Sequence, residues 1–435
     1  MPAGASGSTM VIKGGRVVDA TGDRTADVVV ADGVIVAVGP DLSGDRTLDA
    51  SGCVVAPGLV DLHSHLRQPG QEEAETIETG ARAAALGGYT CILAMPNTVP
   101  AVDHAGIVRE VLELGRAVPC DVLTSGAITV GRAGEQLAPL GEMAALGVRF
   151  FTDDGAGVAD ARLMRRAMEY AGGLVHEGRG VVLAQHCEDP VLASGGHMHE
   201  GVWSSKLGIP GQPAEAEELM VMRDLALARL TGTRVHFQHL STAGSVAMVA
   251  AAREAGLPIT CEVTTHHFTL TDAACASYDP VFKVNPPLRT DADVAAVRQA
   301  LADGSIDCIA TDHAPHTQEA KEAAFDEAPP GMLGLETALA LTLTELDLPL
   351  AEALALLSWR PAEVLGVEAT HGGPVAPGRP ANLVVIDPDR RWVVDPAASA
   401  SRSRNTPYAG RELEGKVRHT ILHGEPVVID GEAQR

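Results

Sequence analysis

Two histidines stand one residue apart in the segment VDLHSHLRQPG, and an arginine follows them at once. His63 and His65 come at the end of an apolar run, beginning VVAPGLV, that is typical of a buried strand. Residues i and i+2 of a strand point to the same face, so both imidazoles would project together. The pattern therefore indicates that His63 and His65 share a metal ion.

Further polar residues stand at the ends of other apolar segments, where a buried strand should not carry them. They are Asn97, Asp153, Asp154, His186, His239 and Asp312, with His313 and His316 just beyond the last of these. A single histidine in such a place is more often hydrogen-bonded or exposed than a ligand. The set of four histidines (His63, His65, His186 and His239) with two of these aspartates is different, because each of the six would cost several kcal/mol if it were buried without a partner. A metal centre offsets that cost.

The donor atoms of this set indicate which metals it would bind. Imidazole nitrogen and carboxylate oxygen, without thiolate, suit Zn²⁺ and related divalent ions. The ligands are too many for one ion and match two ions that share a carboxylate and a hydroxide. We therefore expect His63 and His65 to bind one ion, and His186 and His239 to bind the other.

These residues must be positioned by a repeated unit of strand and helix. From about residue 56 to residue 368, apolar strand-like segments alternate with helical or loop segments. The strand-like segments are GLVDLHSHL, YTCILAMPN, DVLTSGAI, VRFFTDD, GVVLAQHCED, RVHFQHLS, PITCEVTTHH and IDCIATDHAP. The alternation favours a closed (β/α)8 TIM barrel, whose site lies at the carboxyl ends of its strands. A doubly wound sheet is the alternative, and it is disfavoured because no GxGxxG fingerprint follows the first strand.

The two ends of the chain have a different character from the middle. Residues 1–55 alternate apolar and polar residues between glycine turns, and residues 369–435 contain short strands broken by proline, aspartate and glycine. Each piece is too short to form a core alone. We expect the two pieces to pack together as one discontinuous β-sandwich, which makes the chain an α/β protein with a barrel at 56–368.

Composition excludes several classes of function. A net charge of -24 and a pI near 5.0 argue against nucleic-acid binding, which needs a concentrated basic face. No apolar stretch reaches the ~18 residues of a membrane span, and MPAGASGSTM lacks the features of a signal peptide. The cysteines are odd in number and never form a CxxC pair, so we expect a reducing, cytoplasmic location. His197 and His199 repeat the spacing of the first pair, but the stretch ASGGHMHEG favours a solvated loop.

Along nearly its whole length the chain resembles the cyclic amidohydrolases, and within them the class I dihydroorotases of the longer bacterial type. The matching motifs occur in order and with sensible spacing: VDLHSHLRQPG, AMPNTVP, FTDDG, HCED, QHLST, VNPPLR and ATDHAPH. The resemblance implies a metal-bearing (β/α)8 barrel with a small β-sandwich made from both chain ends.

The resemblance also implies roles for the candidate metal ligands. It assigns His63, His65 and Asp312 to one metal, and His186 and His239 to the other. Asp154, the second aspartate of FTDDG, is implied to bridge the two metals, and Asp153 is the alternative. Many relatives bridge with a carboxylated lysine, but no lysine occurs between Lys13 and Lys206. An aspartate bridge is therefore expected.

A second group of residues is implied to contact the substrate: His65, Arg67, Asn97 and His316. A guanidinium can hold a carboxylate in a bidentate pair, which explains an arginine directly after the two ligands. Asn285 of VNPPLR is similar to the family residue that contacts the ring amide, although a turn-forming asparagine before two prolines explains it equally well. Pro330 and Gly331 match a stretch that touches substrate through its backbone.

The implied activity is the reversible cyclisation of N-carbamoyl-L-aspartate to (S)-dihydroorotate in pyrimidine synthesis, by a metal-bridging hydroxide with Asp312 as general acid and base. Two alternatives stay open: a hydantoinase, dihydropyrimidinase or allantoinase, and a catalytically silent scaffold of aspartate carbamoyltransferase. That transcarbamoylase and a second copy of the chain are candidate partners. The polar loop between His316 and Gly331 is compatible with a mobile lid.

Overall fold

Eight parallel strands form the centre of the protein in the computed structural model, which describes residues 8–176 and 178–434. In chain order they are Leu59–Ser64, Tyr89–Ala94, Asp121–Thr124, Phe150–Phe151, Val182–Gln185, Val235–Phe237, Ile259–Thr264 and Cys308–Ala310. Each falls within one of the predicted strand segments. We refer to them as the first to eighth barrel strands.

Regular pairing divides these strands into two sheets, and two further bridges join the sheets into a barrel. The third strand pairs with the second and the second with the first, whereas the fourth to eighth strands form one continuous sheet. Gly126 pairs with Phe151 between the third and fourth strands, and Ser64 pairs with His313 between the first and eighth. The sheet is therefore closed, which confirms the barrel and excludes the doubly wound alternative.

A buried aspartate stabilises the junction of the first and eighth strands. Asp61 lies in the first strand, and its carboxylate accepts hydrogen bonds from the backbone N–H and the hydroxyl of Thr311 at 2.8 and 2.7 Å. Ser64 donates a third hydrogen bond to the same carboxylate. The polar groups at this junction are thus paired, as buried groups must be.

Helices follow the strands and cover the outside of the barrel. The helices after the eight strands include Ile77–Leu86, Ala105–Leu114, Leu140–Ala144, Ala161–Gly172, Glu215–Thr231, Ala243–Glu254, Asp291–Asp303 and Ala338–Glu345. The remaining α-helices are Val202–Leu207, Thr265–Thr269, Gln318–Lys321, Leu350–Leu357 and Trp359–Leu365. Thr76, Asp160, Thr242 and Thr290 cap their helices by accepting a backbone N–H, which explains where those helices begin. Across the described part of the chain, none of the helices has the length and apolar character of a membrane span.

Strands from both ends of the chain form two further sheets. The four-stranded sheet has the order Val34–Gly39, Asp27–Ala31, Met10–Lys13, Arg46–Asp49. The seven-stranded sheet has the order Glu432–Ala433, Glu425–Ile429, Glu412–Leu422, Leu383–Val393, Val54–Pro57, Arg16–Asp19, Gly22–Thr25. The second sheet joins N-terminal and C-terminal strands directly, as expected for a discontinuous sandwich.

Alternation of side chains explains how the seven-stranded sheet is buried on both faces. Val55 and Val385 pack with Ile12 of the four-stranded sheet, whereas Val54 and Val384 pack with the barrel core.

The strand Val54–Pro57 extends past the predicted domain boundary at residue 55. We therefore propose a sandwich of residues 1–57 and 369–435 around a barrel of residues 58–368, of which residues 1–7, 177 and 435 lie outside the described part.

Two predictions of local structure are wrong. The strand Leu383–Val393 runs through Pro388 instead of ending there, because an irregularity between Asp387 and Arg391 accommodates the residue that cannot donate a hydrogen bond. The stretch around His199 is not a solvated loop. Met198–His199 pairs with Gly211–Gln212, and the His199 side chain is buried with Nδ1 3.2 Å from Nη1 of Arg289.

One ionic contact joins the barrel to the sandwich at the end opposite the carboxyl ends of the strands. Asp121 begins the third barrel strand, and its two carboxylate oxygens lie 3.1 Å from Nε2 of His371 and 2.9 Å from Nε2 of His423. Burial raises the pKa of Asp121, but these two histidines more than offset that effect and lower the pKa overall.

We expect Asp121→Asn to lower the free energy of unfolding by about 1 to 3 kcal/mol at pH 7, because a charged hydrogen-bond acceptor is lost. A lowered carboxyl pKa contributes stability above the unfolded-state value and loses it as pH falls through the folded-state value. The difference from the wild type should therefore shrink below about pH 4. Urea unfolding of both proteins between about pH 3 and pH 7 measures this difference in the free energy of unfolding.

The matched variant Asp23→Asn removes only an exposed ion pair with Arg16 and should change the free energy of unfolding by less than about 1 kcal/mol. An equal effect of both variants would contradict the assignment.

Candidate active site

The predicted site residues meet at the carboxyl ends of the barrel strands. A cavity of about 160 Å³ opens there. Its walls include eleven of the twelve residues to which the resemblance gives a metal-binding or substrate-binding role: His65, Arg67, Asn97, Asp154, His186, His239, Asn285, Asp312, His316, Pro330 and Gly331. The twelfth, His63, is fully buried in the first barrel strand beneath the cavity and contacts Asp154. Residues from strands far apart in sequence are thus brought to one place.

Four imidazoles form one buried group at the base of this cavity. The ring centroids of His63 and His65 lie 5.3 Å apart, as expected for alternate residues of one strand. Nδ1 of His186 lies 2.9 Å from Nε2 of His239. The two pairs adjoin, because the ring centroids of His63 and His239 are 5.1 Å apart.

The carboxylate of Asp154 lies between the two histidine pairs. Its Oδ1 is 3.3 Å from Nε2 of His63, 3.4 Å from Nε2 of His239 and 3.6 Å from Nδ1 of His186. Its Oδ2 is 3.5 Å from Nε2 of His65. One carboxylate therefore contacts all four imidazoles, which is the position that a bridging ligand requires.

The neighbouring Asp153 points away from this cluster. Its carboxylate accepts hydrogen bonds from the backbone N–H groups of Ile128 and Thr129 at 2.8 and 3.0 Å, and from the Thr129 hydroxyl. These bonds hold the loop after the third strand against the fourth strand. The geometry therefore favours Asp154 as the bridge and gives Asp153 a structural role.

Two overlapping groups in the cluster have the geometry of a metal site. In each group the ligand atoms lie within 4.8 Å of one another: His63, Asp154 and His239 in one, and His63, His65 and Asp312 in the other. Oδ1 of Asp312 lies 2.9 Å from Nε2 of His65. Nε2 of His63 is buried and has no hydrogen-bond partner, although it lies beside the carboxylate of Asp154. An unpaired buried nitrogen beside an ionised carboxylate fits a divalent metal ion.

The charges of the cluster also favour a cation. Burial raises the pKa of a carboxyl group, but the surrounding histidines hold the pKa values of Asp154 and Asp312 below their usual range. Burial lowers the pKa of His186, yet Asp154 and Glu188 raise it to about 10. The ionised carboxylates thus attract positive charge, which either protons or metal ions can supply.

Hydrogen bonds fix the tautomers of the first histidine pair. Nδ1 of His63 lies 2.7 Å from Oε1 of Glu262, and Nδ1 of His65 lies 2.9 Å from Oδ1 of Asn97. Because an oxygen acceptor requires a proton on Nδ1, Nε2 of each ring is free to bind a metal. The amide nitrogen of Asn97 then remains as a donor beside the cavity.

The opposite wall of the cavity contains an unusual guanidinium. Arg67 is buried, and its Nε donates to the carbonyl of Pro315 at 3.0 Å while Nη2 lies 3.4 Å from Nε2 of His316. Among the described residues, no carboxylate lies within ion-pair distance of it. Burial lowers the pKa of Arg67 to about 10, so the group is still charged at neutral pH. A buried cation without a counterion is well suited to an anionic ligand.

Asn285 offers an unpaired acceptor to the same cavity. Its Nδ2 donates to Glu188 at 2.6 Å, whereas its Oδ1 is buried without a hydrogen-bond partner. This geometry favours the substrate-binding interpretation over the turn-forming one, because a buried carbonyl oxygen is costly until it accepts a hydrogen bond.

Pro330 and Gly331 line the cavity, but their backbone groups already have partners. The Pro330 carbonyl lies 2.8 Å from Nε2 of His316, and Gly331 donates its N–H to the Lys283 carbonyl at 2.8 Å. The φ angle of Gly331 is +140°, and a Cβ there would lie 2.7 Å from that of Ala314. The position therefore requires glycine, and its contact with substrate stays a prediction.

Sequence reasoning missed two carboxylates that support the site, one buried and one partly buried. Glu262 holds Nδ1 of His63 and also lies 3.1 Å from Nε2 of His236. Glu188 contacts His186 and Asn285. A glutamate inside the apolar segment PITCEVTTHH was the available signal for the first of these, since an unpaired charge is not expected in a buried strand.

Comparison with known proteins assigns the chain to a family. The dihydro-orotase-like family model matches residues 52–245, and the amidohydrolase family model matches residues 274–428. A protein of Streptomyces coelicolor named dihydroorotase is 51% identical over 433 residues, which cover 98% of this chain and 99% of the relative. The chain belongs to the dihydroorotase family. A dihydroorotase of Mycobacterium tuberculosis is 49% identical over 424 residues, covering 94% of this chain and 96% of the relative.

Solved structures with the same fold come from related enzymes. An L-hydantoinase from Arthrobacter aurescens has a TM-score of 0.87 at 25% identity, with 98% of both chains covered. A dihydropyrimidinase from Brevibacillus agri has a TM-score of 0.83 at 23% identity, covering 98% of this chain and 96% of the other. The family fold, a barrel with a β-sandwich, is therefore shared by enzymes whose names indicate different cyclic amide substrates.

The adjacent aspartates allow a direct test of the bridging position. We expect Asp154→Asn to lower the amount of divalent metal bound per chain, because the carboxylate facing all four histidines is lost, and to lower turnover at least about 100-fold. Metal analysis after dialysis, together with steady-state kinetics, measures both.

Asp153→Asn is the matched control and should leave the bound metal unchanged while lowering the free energy of unfolding by about 1 to 3 kcal/mol. Loss of metal from the Asp153 variant and not from the Asp154 variant would reverse the assignment.

Proposed function

We propose that the chain catalyses the reversible interconversion of N-carbamoyl-L-aspartate and (S)-dihydroorotate in pyrimidine biosynthesis, with two divalent metal ions, zinc by preference. The observation that carries the proposal is the buried guanidinium of Arg67 in the same cavity as the histidine and aspartate cluster. Dihydroorotate has a cyclic amide to be hydrolysed and a carboxylate to be bound, and the two halves of the cavity match those two groups. The approximately 50% identity to relatives named dihydroorotase supports the same activity.

The residues that would hold the metals are His63, His65, Asp154, His186, His239 and Asp312. When bound, the ions supply Lewis acidity, which lowers the pKa of water and polarises an amide carbonyl. Zinc accords with the nitrogen and oxygen donors and the lack of a thiolate.

Asp312 is the proposed proton carrier. Its pKa is lowered despite burial, so it is a carboxylate at neutral pH and can accept a proton from the attacking water. As the ring C–N bond breaks, the same group returns that proton to the leaving nitrogen. Cyclisation runs these steps in reverse, with loss of water.

Arg67 and Asn97 are the proposed carboxylate ligands, together with His316. Burial and the nearby Arg67 and Lys321 lower the pKa of His316 to about 3, so its imidazole is neutral and has one N–H, which would have to leave the Pro330 carbonyl to reach the substrate carboxylate. Asn285 would accept from a ring N–H through its unpaired Oδ1. A hydantoinase substrate has no carboxylate for Arg67, and therefore these residues favour dihydroorotate over that alternative.

The wider setting of the enzyme is also a proposal. The full ligand set argues against a silent scaffold, because every residue of the metal cluster is present. All seven cysteines are buried and free, which accords with a reducing cytoplasm. Aspartate carbamoyltransferase and a second copy of this chain remain the candidate partners.

Substrate preference tests the function directly. With zinc added, we expect purified protein to hydrolyse dihydroorotate with a kcat/KM at least about 100-fold above that for hydantoin, because Arg67 would be left unpaired with hydantoin. Arg67→Met should lower kcat/KM for dihydroorotate about 100-fold or more and change hydantoin hydrolysis much less. The exposed control Arg109→Met should match the wild type. No dihydroorotate turnover, with or without aspartate carbamoyltransferase, would refute the proposal.

The proton-transfer role has its own test. Asp312→Asn should lower kcat by a factor of about 1,000 or more, since an amide cannot accept and return a proton. Metal analysis of the same sample separates this effect from loss of a ligand. Nearly intact turnover with metal retained would leave Asp312 as a ligand only.

A further inference from the structure

The loop from His316 to Gly331 is held against a second segment of the site by two lysines. The loop includes the short helix Gln318–Lys321 and ends at the cavity wall. The second segment contains the turn Pro280–Phe282 and leads directly to Asn285. Neither lysine was singled out from the sequence, where the loop was interpreted only as a candidate lid.

Lys321 is surrounded by backbone carbonyls. Its Nζ donates to the carbonyls of Pro280 at 2.9 Å, Pro329 at 2.8 Å and Lys283 at 3.4 Å. Two of these carbonyls belong to the second segment and one belongs to the end of the loop itself. The side chain thus joins both segments at a point one residue before Pro330.

Lys283 makes the reciprocal connection. It lies in the second segment, and its Nζ donates to the carbonyl of Asp326 in the loop at 2.9 Å and lies 3.3 Å from Nδ1 of His197. Its own carbonyl accepts the N–H of Gly331 at 2.8 Å. Each segment therefore contributes one ammonium group to the other.

The ammonium form of Lys321 suits this position. Three carbonyl acceptors match the three N–H donors of a protonated lysine, whereas a neutral amine has only two. Burial and the charges of Lys283 and Arg67 lower the pKa of Lys321 to about 7, while Asp279 acts in the opposite direction. Both forms of Lys321 are therefore populated near neutral pH, the three carbonyls favour the ammonium form, and no carboxylate among the described residues pairs with it.

We propose that Lys321 is a positioning residue, which together with Lys283 holds Pro330, Gly331 and Asn285 in the arrangement that binds substrate. The inference rests on the proposed dihydroorotase function for its effect on catalysis. Neither lysine touches the cluster of histidines and aspartates, so the two side chains should govern substrate affinity more than the chemical step.

Lys321→Met tests the proposal with a side chain of similar length and no charge. We expect KM for dihydroorotate to rise about tenfold or more, kcat to stay within about threefold, and bound metal to be unchanged. Lys13→Met is the matched control, because Lys13 is an exposed lysine in the sandwich strand Met10–Lys13. It should leave all these quantities unchanged.

Limited proteolysis provides a readout that does not depend on activity. Glu319, Glu322 and Glu327 lie in the loop, so a glutamate-specific protease can cut there without using the altered lysine. The Lys321→Met variant should be cut at these sites at least about fivefold faster than the wild type and the Lys13 variant.

Unchanged KM together with unchanged cleavage would overturn the proposal. A fall in kcat with loss of metal would also overturn it, because Lys321 would then support the metal centre. If the wild type proves inactive on dihydroorotate, the proposed function fails, whereas the cleavage rates still decide whether Lys321 holds the loop.

Discussion

The active site depends on one buried carboxylate, that of Asp154, facing four imidazoles. An ionised carboxylate is expensive to bury unless positive charge or hydrogen bonds compensate it. Here the compensation comes from His63, His65, His186 and His239, which reach the carboxylate from three different strands. These contacts join the carboxyl ends of three barrel strands, so the cluster depends on the arrangement of those strands in the barrel.

The barrel meets this requirement by bringing the carboxyl ends of its strands together. Closure between the first and eighth strands places Asp312 beside His65, and the hydrogen bonds of Asp61 to Thr311 stabilise that junction. Further hydrogen bonds support the histidines from outside the cluster. Glu262 and Asn97 orient the imidazoles of the first strand, so that each ring presents Nε2 to the centre of the cluster.

The residues proposed to select the substrate lie apart from the cluster of histidines and aspartates. The fold is shared with hydantoinases and a dihydropyrimidinase at a TM-score of 0.83 to 0.87, so the architecture alone does not select a substrate. The groups proposed to select the substrate lie on the surrounding loops. The cavity contains the buried guanidinium of Arg67 and the unpaired Oδ1 of Asn285.

The sequence by itself determined the barrel, the discontinuous sandwich and the choice of site residues. Hydrophobic periodicity marks each barrel strand, and a polar residue at the end of an apolar strand is conspicuous because its burial must be compensated. The spacing of His63 and His65 was sufficient to predict that both side chains point to the same side of one extended segment. Together with the family resemblance, the lack of a lysine between Lys13 and Lys206 predicted an aspartate bridge.

The tertiary structure alone decided the matters that depend on distance between segments remote in the chain. Adjacent aspartates are equivalent in sequence, and their contacts distinguish them: Asp153 accepts hydrogen bonds from Ile128 and Thr129, whereas Asp154 faces the four histidines. Proline and histidine in apparent loops gave wrong local predictions at Pro388 and His199, because pairing with a distant strand outweighed local preference. The partners of Glu262 and Lys321 could not be inferred from the sequence for the same physical reason, because folding brings those partners together from distant segments.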